Sequence, residues 1–367
     1  MDPPVIWWLR RDLRLQDNAA LAAALRSGRA VIPLFIWDSE LLGRSGEARI
    51  HFLTAALHAI DDELRQRGSR LVVLRGEPVS TLAGFARQVG AEQVFAEEDY
   101  SPYARRRDEA ASQVVHLELV LGLTAQHPAA VVKADRRPYT VFTPFSKAWK
   151  DLPAGGEAWK APERLPGVPD SLVGENLPPV RQHPDFPASE REAARRLNQF
   201  LHGPAAAYQD GRNRLDLDGT SSLSPYFRFG LLSARSAVAA VRARLARVGE
   251  DERAGLDTWL NELIWREFYQ TILYHFPQVL KEAFQPGMRA VPWRDDPQGL
   301  AAWQAGRTGY PVVDAAMRQL TGMNWMHNRA RMIAASFLVK DLLIDWRARQ
   351  RWFMRHLVDG DPAANNG

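Results

Sequence analysis

Short β-rich runs alternate with helical stretches through the first 125 residues, and this alternation limits the fold more than any other feature of the chain. Val5–Leu9, Val31–Trp37, Leu71–Arg75 and Gln93–Ala96 read as strands, being short, apolar and rich in β-branched and aromatic residues. Ala19–Arg26, His51–Arg67 and Val79–Val89 carry helical periodicity between them. Strands separated by helices pair in parallel through crossovers, so the expected product is a doubly wound sheet covered on both faces. Residues 1–125 are therefore expected to form a Rossmann-like α/β domain. The first strand runs into RRDLRLQDN instead of GxGxxG, which removes the glycines that a dinucleotide pyrophosphate needs at that turn.

Residues 126–194 change character. They are rich in Pro and Gly, as in APERLPGVPDSLVGENLPPV, and read as a long interdomain linker. YTVFTPFSKAW, Tyr139–Trp149, interrupts it with aromatic density that calls for packing. Beyond Ser189 helical patterns dominate, so residues 195–367 are expected to form an all-α domain. A chain of 367 residues suits two such domains.

The chain has no cysteine, which excludes disulfides and thiolate metal sites and leaves redox chemistry to a bound cofactor or to aromatic side chains. No apolar run reaches a membrane span and no signal peptide is legible, so a cytoplasmic protein with no membrane partner is expected. Net charge is +4, and only six basic residues are Lys. Guanidinium suits bidentate phosphate contacts, while an Arg-favouring genome gives the same composition.

Four segments of the helical half carry polar residues that a core does not bury without partners. Tyr208–Tyr226 contains Thr220, Ser221, Ser222, Leu223 and Ser224 before a Pro, which suits either a phosphate at a helix start or a plain helix cap. In DTWLNELIWREFYQ, Glu262 lies one helical turn from Trp259, Trp265 and Arg266. That spacing fits an i,i+4 ion pair on an amphipathic helix as well as a site. WMHNRARM brings Asn328, Arg331 and Met332, with His327 read as a packed or surface residue. DGDPAANNG brings Asp359, Gly360, Asp361 and Asn365, without the further oxygen ligands of a calcium loop.

In combination these segments closely resemble the flavin-binding core of the photolyase and cryptochrome family, and the resemblance runs from RRDLRLQDN through nearly the whole chain. It implies a class I cyclobutane pyrimidine dimer photolyase acting on damaged double- or single-stranded DNA as a monomer. By the same resemblance, Tyr208 and Thr220–Ser224 would hold FAD phosphates and ribose. Arg331 would pair with Asp359 beside the flavin ring, Asp361 would accept from flavin N3–H, and Asn365 would sit at N5. Trp265, with Tyr269 near it, would stack on the flipped dimer, Glu262 and Asn328 would read its carbonyl edge, and Met332 would be an apolar wall. Asn328 stands where (6-4) photolyases have His, which favours cyclobutane dimers. Arg212, Arg266 and Arg329 would line the mouth of the pocket and face DNA.

Trp293 in VPW and Trp346 in LLIDW match the surface and middle members of the family's electron-hopping chain. A folate antenna is disfavoured, because Tyr103 and Ala104 stand where folate-binding members have Asn-Glu, which leaves deazaflavin, FMN or no antenna pigment. The family continues past ANNG with a Trp-containing segment, so the chain ending at Gly367 reads as truncated, with slow flavin photoreduction expected. The alternative is a cryptochrome-like blue-light photoreceptor without repair activity, which Glu262, Asn328, Met332 and Asn365 disfavour.

Overall fold

A computed structural model describes residues 2–153, 156 and 158–366. Five strands, β1 (Val5–Leu9), β2 (Val31–Asp38), β3 (Val72–Gly76), β4 (Gln93–Glu97) and β5 (His116–Val120), form a parallel sheet in the order β3-β2-β1-β4-β5. The helices α1 (Ala19–Arg26), α2 (Ser39–Arg44), α3 (Glu47–Gln66), α4 (Pro78–Val89) and α5 (Pro102–Ser112) make the crossovers. Every residue of β1 and β2 is buried, as a parallel sheet covered on both faces requires. Alternate β1 side chains divide between two cores. Ile6 and Trp8 pack with Leu82 and Phe85 of α4, whereas Val5, Trp7 and Leu9 pack on the side of α3.

The expected sheet is present, with one strand, β5, and two helices, α2 and α5, more than the sequence reading found. HLELV of β5 lies at the sheet edge and is only partly buried, so it lacks the apolar run that marks the central strands. α5 is polar, and its N-cap Ser101 accepts from Ala104 N.

The helical half comprises α6 (Phe142–Asp151), α7 (Glu190–Leu201), α8 (Tyr208–Gly211), α9 (Ser224–Arg228), α10 (Ala234–Leu245), α11 (Glu250–His275), α12 (Pro297–Gln304), α13 (Pro311–Met323), α14 (Asn328–Ser336), α15 (Trp346–His356) and α16 (Pro362–Asn366). α11 is its axis, packing against α6, α8, α10 and α16. One buried core runs unbroken from Trp7 and Phe52 to Tyr226, Phe229, Leu256 and Ile264, so the two halves share a core. A second core is built by α12–α15 around Trp303, Met317, Leu320 and Phe353.

The linker is laid along the molecule. Glu175 N donates to Val73 O (2.7 Å) and Glu175 pairs with Arg75, which covers the free edge of β3. The aromatic segment Tyr139–Trp149 is packed through α6: Trp149 Nε1 donates to Glu267 of α11 at 2.6 Å, and Phe145 meets Phe268 at 5.1 Å. Glu267 also accepts from the backbone N–H groups of Ala125 and Gln126, so one buried carboxylate joins the end of the α/β half, the linker helix and α11.

Glu267→Ala leaves those three donors without an acceptor, and at about 1–3 kcal/mol for each orphaned group it is expected to cost about 3 kcal/mol or more. The measurement is the urea midpoint, with Glu267→Gln, which keeps one acceptor oxygen, falling between parent and Ala variant.

Candidate functional site

RRDLRLQDN, the turn after β1, lies between the two halves. Gly230, at φ +67, closes against it so tightly that a Cβ there would sit 1.8 Å from Arg11 O. Arg14 pairs with Glu97 at 2.5 Å and donates to Gly230 O, and Asp17 accepts from Ser233, Ser236 and Arg235. Burial pushes the Glu97 carboxyl up to about 7 even with Arg14 beside it. Arg11 reaches furthest. Its Nη2 donates to Asp361 Oδ2 at 2.6 Å, its Nη1 to Asp99 at 3.3 Å and its Nε to Arg228 O at 3.2 Å.

The DGD segment is therefore held from the α/β half. Asp361 Oδ1 accepts from Gln270 Nε2 (3.2 Å) and Ala363 N (2.9 Å), and Arg228 Nε donates to Gly360 O (2.7 Å). Arg49 of α3 donates to Met354 O and Leu357 O, just before the segment. Burial opposes charge on Asp361, but Arg11, Arg228 and Arg266 outweigh it and hold the carboxyl below its ordinary value. Burial and the neighbouring Arg11 bring the Arg228 guanidinium down to about 9.

Arg331 of α14 pairs with Asp359 Oδ2 at 2.7 Å, the pairing that the resemblance implied. The Asp359 side chain is 1% exposed, and its Oδ1 is buried without a hydrogen-bond partner among the described residues. A buried carboxylate oxygen without a partner has acceptor capacity for a donor that the chain does not supply, a ligand N–H or a water. Gly360 carries no side chain where a Cβ would meet Arg49, and Asn365 is buried on α16 with long contacts to Gln350 O (3.4 Å) and Asn366 (3.3 Å). This donor and acceptor set fits the polar edge of a flavin.

A second polar group centres on Glu262 of α11. Glu262 pairs with Arg212 of the α8–α9 connection at 2.7 Å, and not with Arg266 one turn along its own helix, which corrects the i,i+4 reading. The charges of Arg212 and Arg329 pull against burial at Glu262, yet its carboxyl stands above the ordinary value because burial is the larger effect. Arg329 donates to Asn213 Oδ1 at 2.6 Å and approaches Met332 Sδ at 3.3 Å. Tyr208 is buried against Phe200, and burial, with Glu262 near it, raises its hydroxyl. Asn328 opens α14, where the buried His327 accepts from Arg329 N through Nδ1.

Three expectations change. The Thr220–Ser224 stretch is not a helix cap: α9 starts after Leu223 with no side-chain cap, Leu223 is buried, and Ser222 takes a left-handed φ of +49. Ser224 Oγ instead accepts from Trp325 Nε1 at 3.2 Å. Arg266 is drawn away from the mouth; it donates to Leu123 O (3.0 Å) at the seam between the halves. Met332 is 52% exposed, so it stands at the rim and does not wall an interior. Trp265 lies beside Tyr269, ring centroids 5.5 Å apart, and stacks on Phe142 of the linker. Arg294 N donates to Leu343 O, which draws the segment of Trp293 toward that of Trp346. Arg11, Arg49 and Gln270 went unread; the only signal for Arg11 was the charge density of RRDLRLQDN beside a strand end.

Sequence profiles match in two blocks, one described as DNA photolyase over residues 5–165 and one as FAD binding domain of DNA photolyase over residues 259–367. The chain is 39% identical to a deoxyribodipyrimidine photo-lyase of Synechococcus, over 100% of this chain and 80% of that one. Among solved structures it is similar to a bacterial class III photolyase from Agrobacterium tumefaciens (TM-score 0.92, 33% identity, covering 100% of this chain and 78% of that one). It is also similar to a Synechocystis cryptochrome (TM-score 0.90, 28% identity, 100% and 81%).

A carboxylate whose folded pKa is depressed stabilises the fold above its unfolded value, and that contribution is lost as pH falls through the folded value. Asp361 is such a group. Arg11→Gln breaks its pair, at about 3–5 kcal/mol for an orphaned buried charge. The thermal midpoint of the variant is expected to lie well below the parent's at neutral pH, with the gap closing as the solution is acidified through the carboxylate range.

Proposed function

The chain belongs to the DNA photolyase family, its function is light-driven repair of pyrimidine dimers in DNA through FAD, and we propose the following roles for its residues. The observation that carries the proposal is the buried Asp359 Oδ1, without a partner among the described residues, beside Arg331, in a helical half where Arg212 and Arg329 also gather at Glu262. When bound, reduced FAD supplies on illumination the electron that opens the cyclobutane ring and recovers it afterwards. Asp359, its charge balanced by Arg331, would stand beside the flavin ring, and Asn365 would offer a neutral amide at N5. Arg11 and Gln270 fix Asp361 in the loop and leave Oδ2, which has one donor, able to accept from flavin N3–H. Tyr208 and the free hydroxyls of Thr220, Ser221 and Ser222 take the phosphate and ribose end.

The dimer is drawn out of the stack and read in the pocket. Trp265 stacks on it, Asn328 hydrogen-bonds its polar edge, and Glu262, kept neutral over a wider pH range by burial, donates to the carbonyl on which negative charge develops. Arg212 and Arg329 stand at the mouth, near enough to Glu262 to act on its charge, where they can meet phosphates on damaged single- or double-stranded DNA. Trp293 and Trp346 are assigned to electron supply. A folate antenna is disfavoured by Tyr103, whose hydroxyl is committed to Asp38 where folate-binding members have an amide–carboxylate pair, which leaves a deazaflavin, FMN or no antenna pigment. Class I activity and a monomeric state belong to the same proposal. No described helix is long and apolar enough to cross a membrane.

Light-versus-dark repair of an oligonucleotide with one thymine dimer is the direct test; retained FAD with no repair in light would favour the photoreceptor reading. Glu262→Ala is expected to lower the repair yield several-fold while FAD stays bound. A raised carboxyl donates only below its pKa, so the parent's yield should fall as pH rises through that value, and Glu262→Gln, which donates at every pH, should flatten the profile. Affinity for DNA in the dark should fall with salt, less steeply in Arg212→Gln and Arg329→Gln.

A further inference from the structure

The aromatic segment of the linker reaches the proposed dimer site. On α6, Phe142, Phe145 and Trp149 follow i, i+3, i+7 spacing and share one face. Phe145 and Trp149 are buried and bolt that face to Phe268 and Glu267 of α11. One turn earlier the same face delivers Phe142 onto Trp265, with ring centroids 3.7 Å apart and planes inclined by 4°. Phe268 meets the indole edge-on at 5.6 Å, and Tyr269 lies at 5.5 Å. Phe142 and Trp265 both remain partly exposed, so the stack stands at the surface of the cleft and not inside a core.

We propose that Phe142 is a positioning residue for the substrate: its ring backs the Trp265 indole and fixes the plane against which the flipped pyrimidine stacks. The inference rests on the reading of Trp265 as the stacking platform. A half-exposed Trp on a helix surface would otherwise lose rotamer freedom when DNA docks, and that loss would subtract from affinity. Full-face contact with Phe142 settles the rotamer during folding. One indole face is thereby covered, and the dimer meets the other. Phe142 is not needed to hold α6, because Phe145 and Trp149 already anchor it.

The test uses the full chain loaded with FAD and titrated in the dark with matched oligonucleotides, one carrying a thymine dimer and one undamaged. Phe142→Ala is expected to weaken binding of the dimer strand about five- to tenfold, less than the loss in Trp265→Ala, with affinity for undamaged DNA unchanged and only a small fall in thermal midpoint from the lost stack. Phe142→Tyr, which keeps the planar ring, should restore it. Two results would overturn the proposal. In one, Phe142→Ala leaves the damaged-to-undamaged affinity ratio intact while Trp265→Ala lowers it. In the other, Phe142→Ala weakens both DNAs equally with a fall in thermal midpoint, which makes it a packing residue only. If Trp265→Ala itself leaves the ratio unchanged, the stacking platform is wrong and this inference falls with it.

Discussion

The ion pair between Arg11 and Asp361 joins residues 350 positions apart, and the flavin-facing region depends on it. Arg11 sits at the end of β1 in the sheet, and Asp361 in the loop whose neighbour Asp359 presents the free carboxylate oxygen. Desolvating both partners is expensive, and their attraction alone does not return that cost. Here further bonds offset the cost: Arg11 also serves Asp99 and Arg228 O, and Asp361 also accepts from Gln270 and Ala363. A network of this kind fixes geometry more than it adds stability. It makes the α/β half a structural part of the cofactor site.

Arginine suits this seam better than lysine would. Its planar fork reaches two or three acceptors from one position, as Arg14 does with Glu97, Asp17 O and Gly230 O. The surplus of Arg over Lys in the composition is thus explained in part by folding, independently of nucleic-acid contact. Arg266 illustrates the point, since its guanidinium is used on Leu123 O between the halves.

The helical half holds two carboxyls in opposed electrostatic settings. Asp361 is surrounded by guanidinium groups that hold its carboxyl below the ordinary value, whereas burial raises that of Glu262 despite Arg212. Environment alone moves the two in opposite directions, so Glu262 takes up a proton more readily than Asp361. Trp265, backed by Phe142 of α6, lies on the same helix as Glu262, so stacking and hydrogen bonding are presented from one rigid axis, α11.

The sequence by itself determined the sheet, its parallel sense, the helical second half and the segments that carry the site. These follow from local periodicity and from residue types, which are properties of neighbouring positions. It missed β5, whose half-exposed residues carry no apolar run, α5, whose face is mostly polar, and α2, a short helix with no buried residue. Only the tertiary structure decided partners. Glu262 had Arg266 in helical register but found Arg212, Thr220–Ser224 had a capping pattern but caps nothing, and Asp361 found Arg11 across the whole chain. The physical reason is that periodicity sets which face a side chain occupies, while the partner it meets there depends on the path of distant segments that share one core.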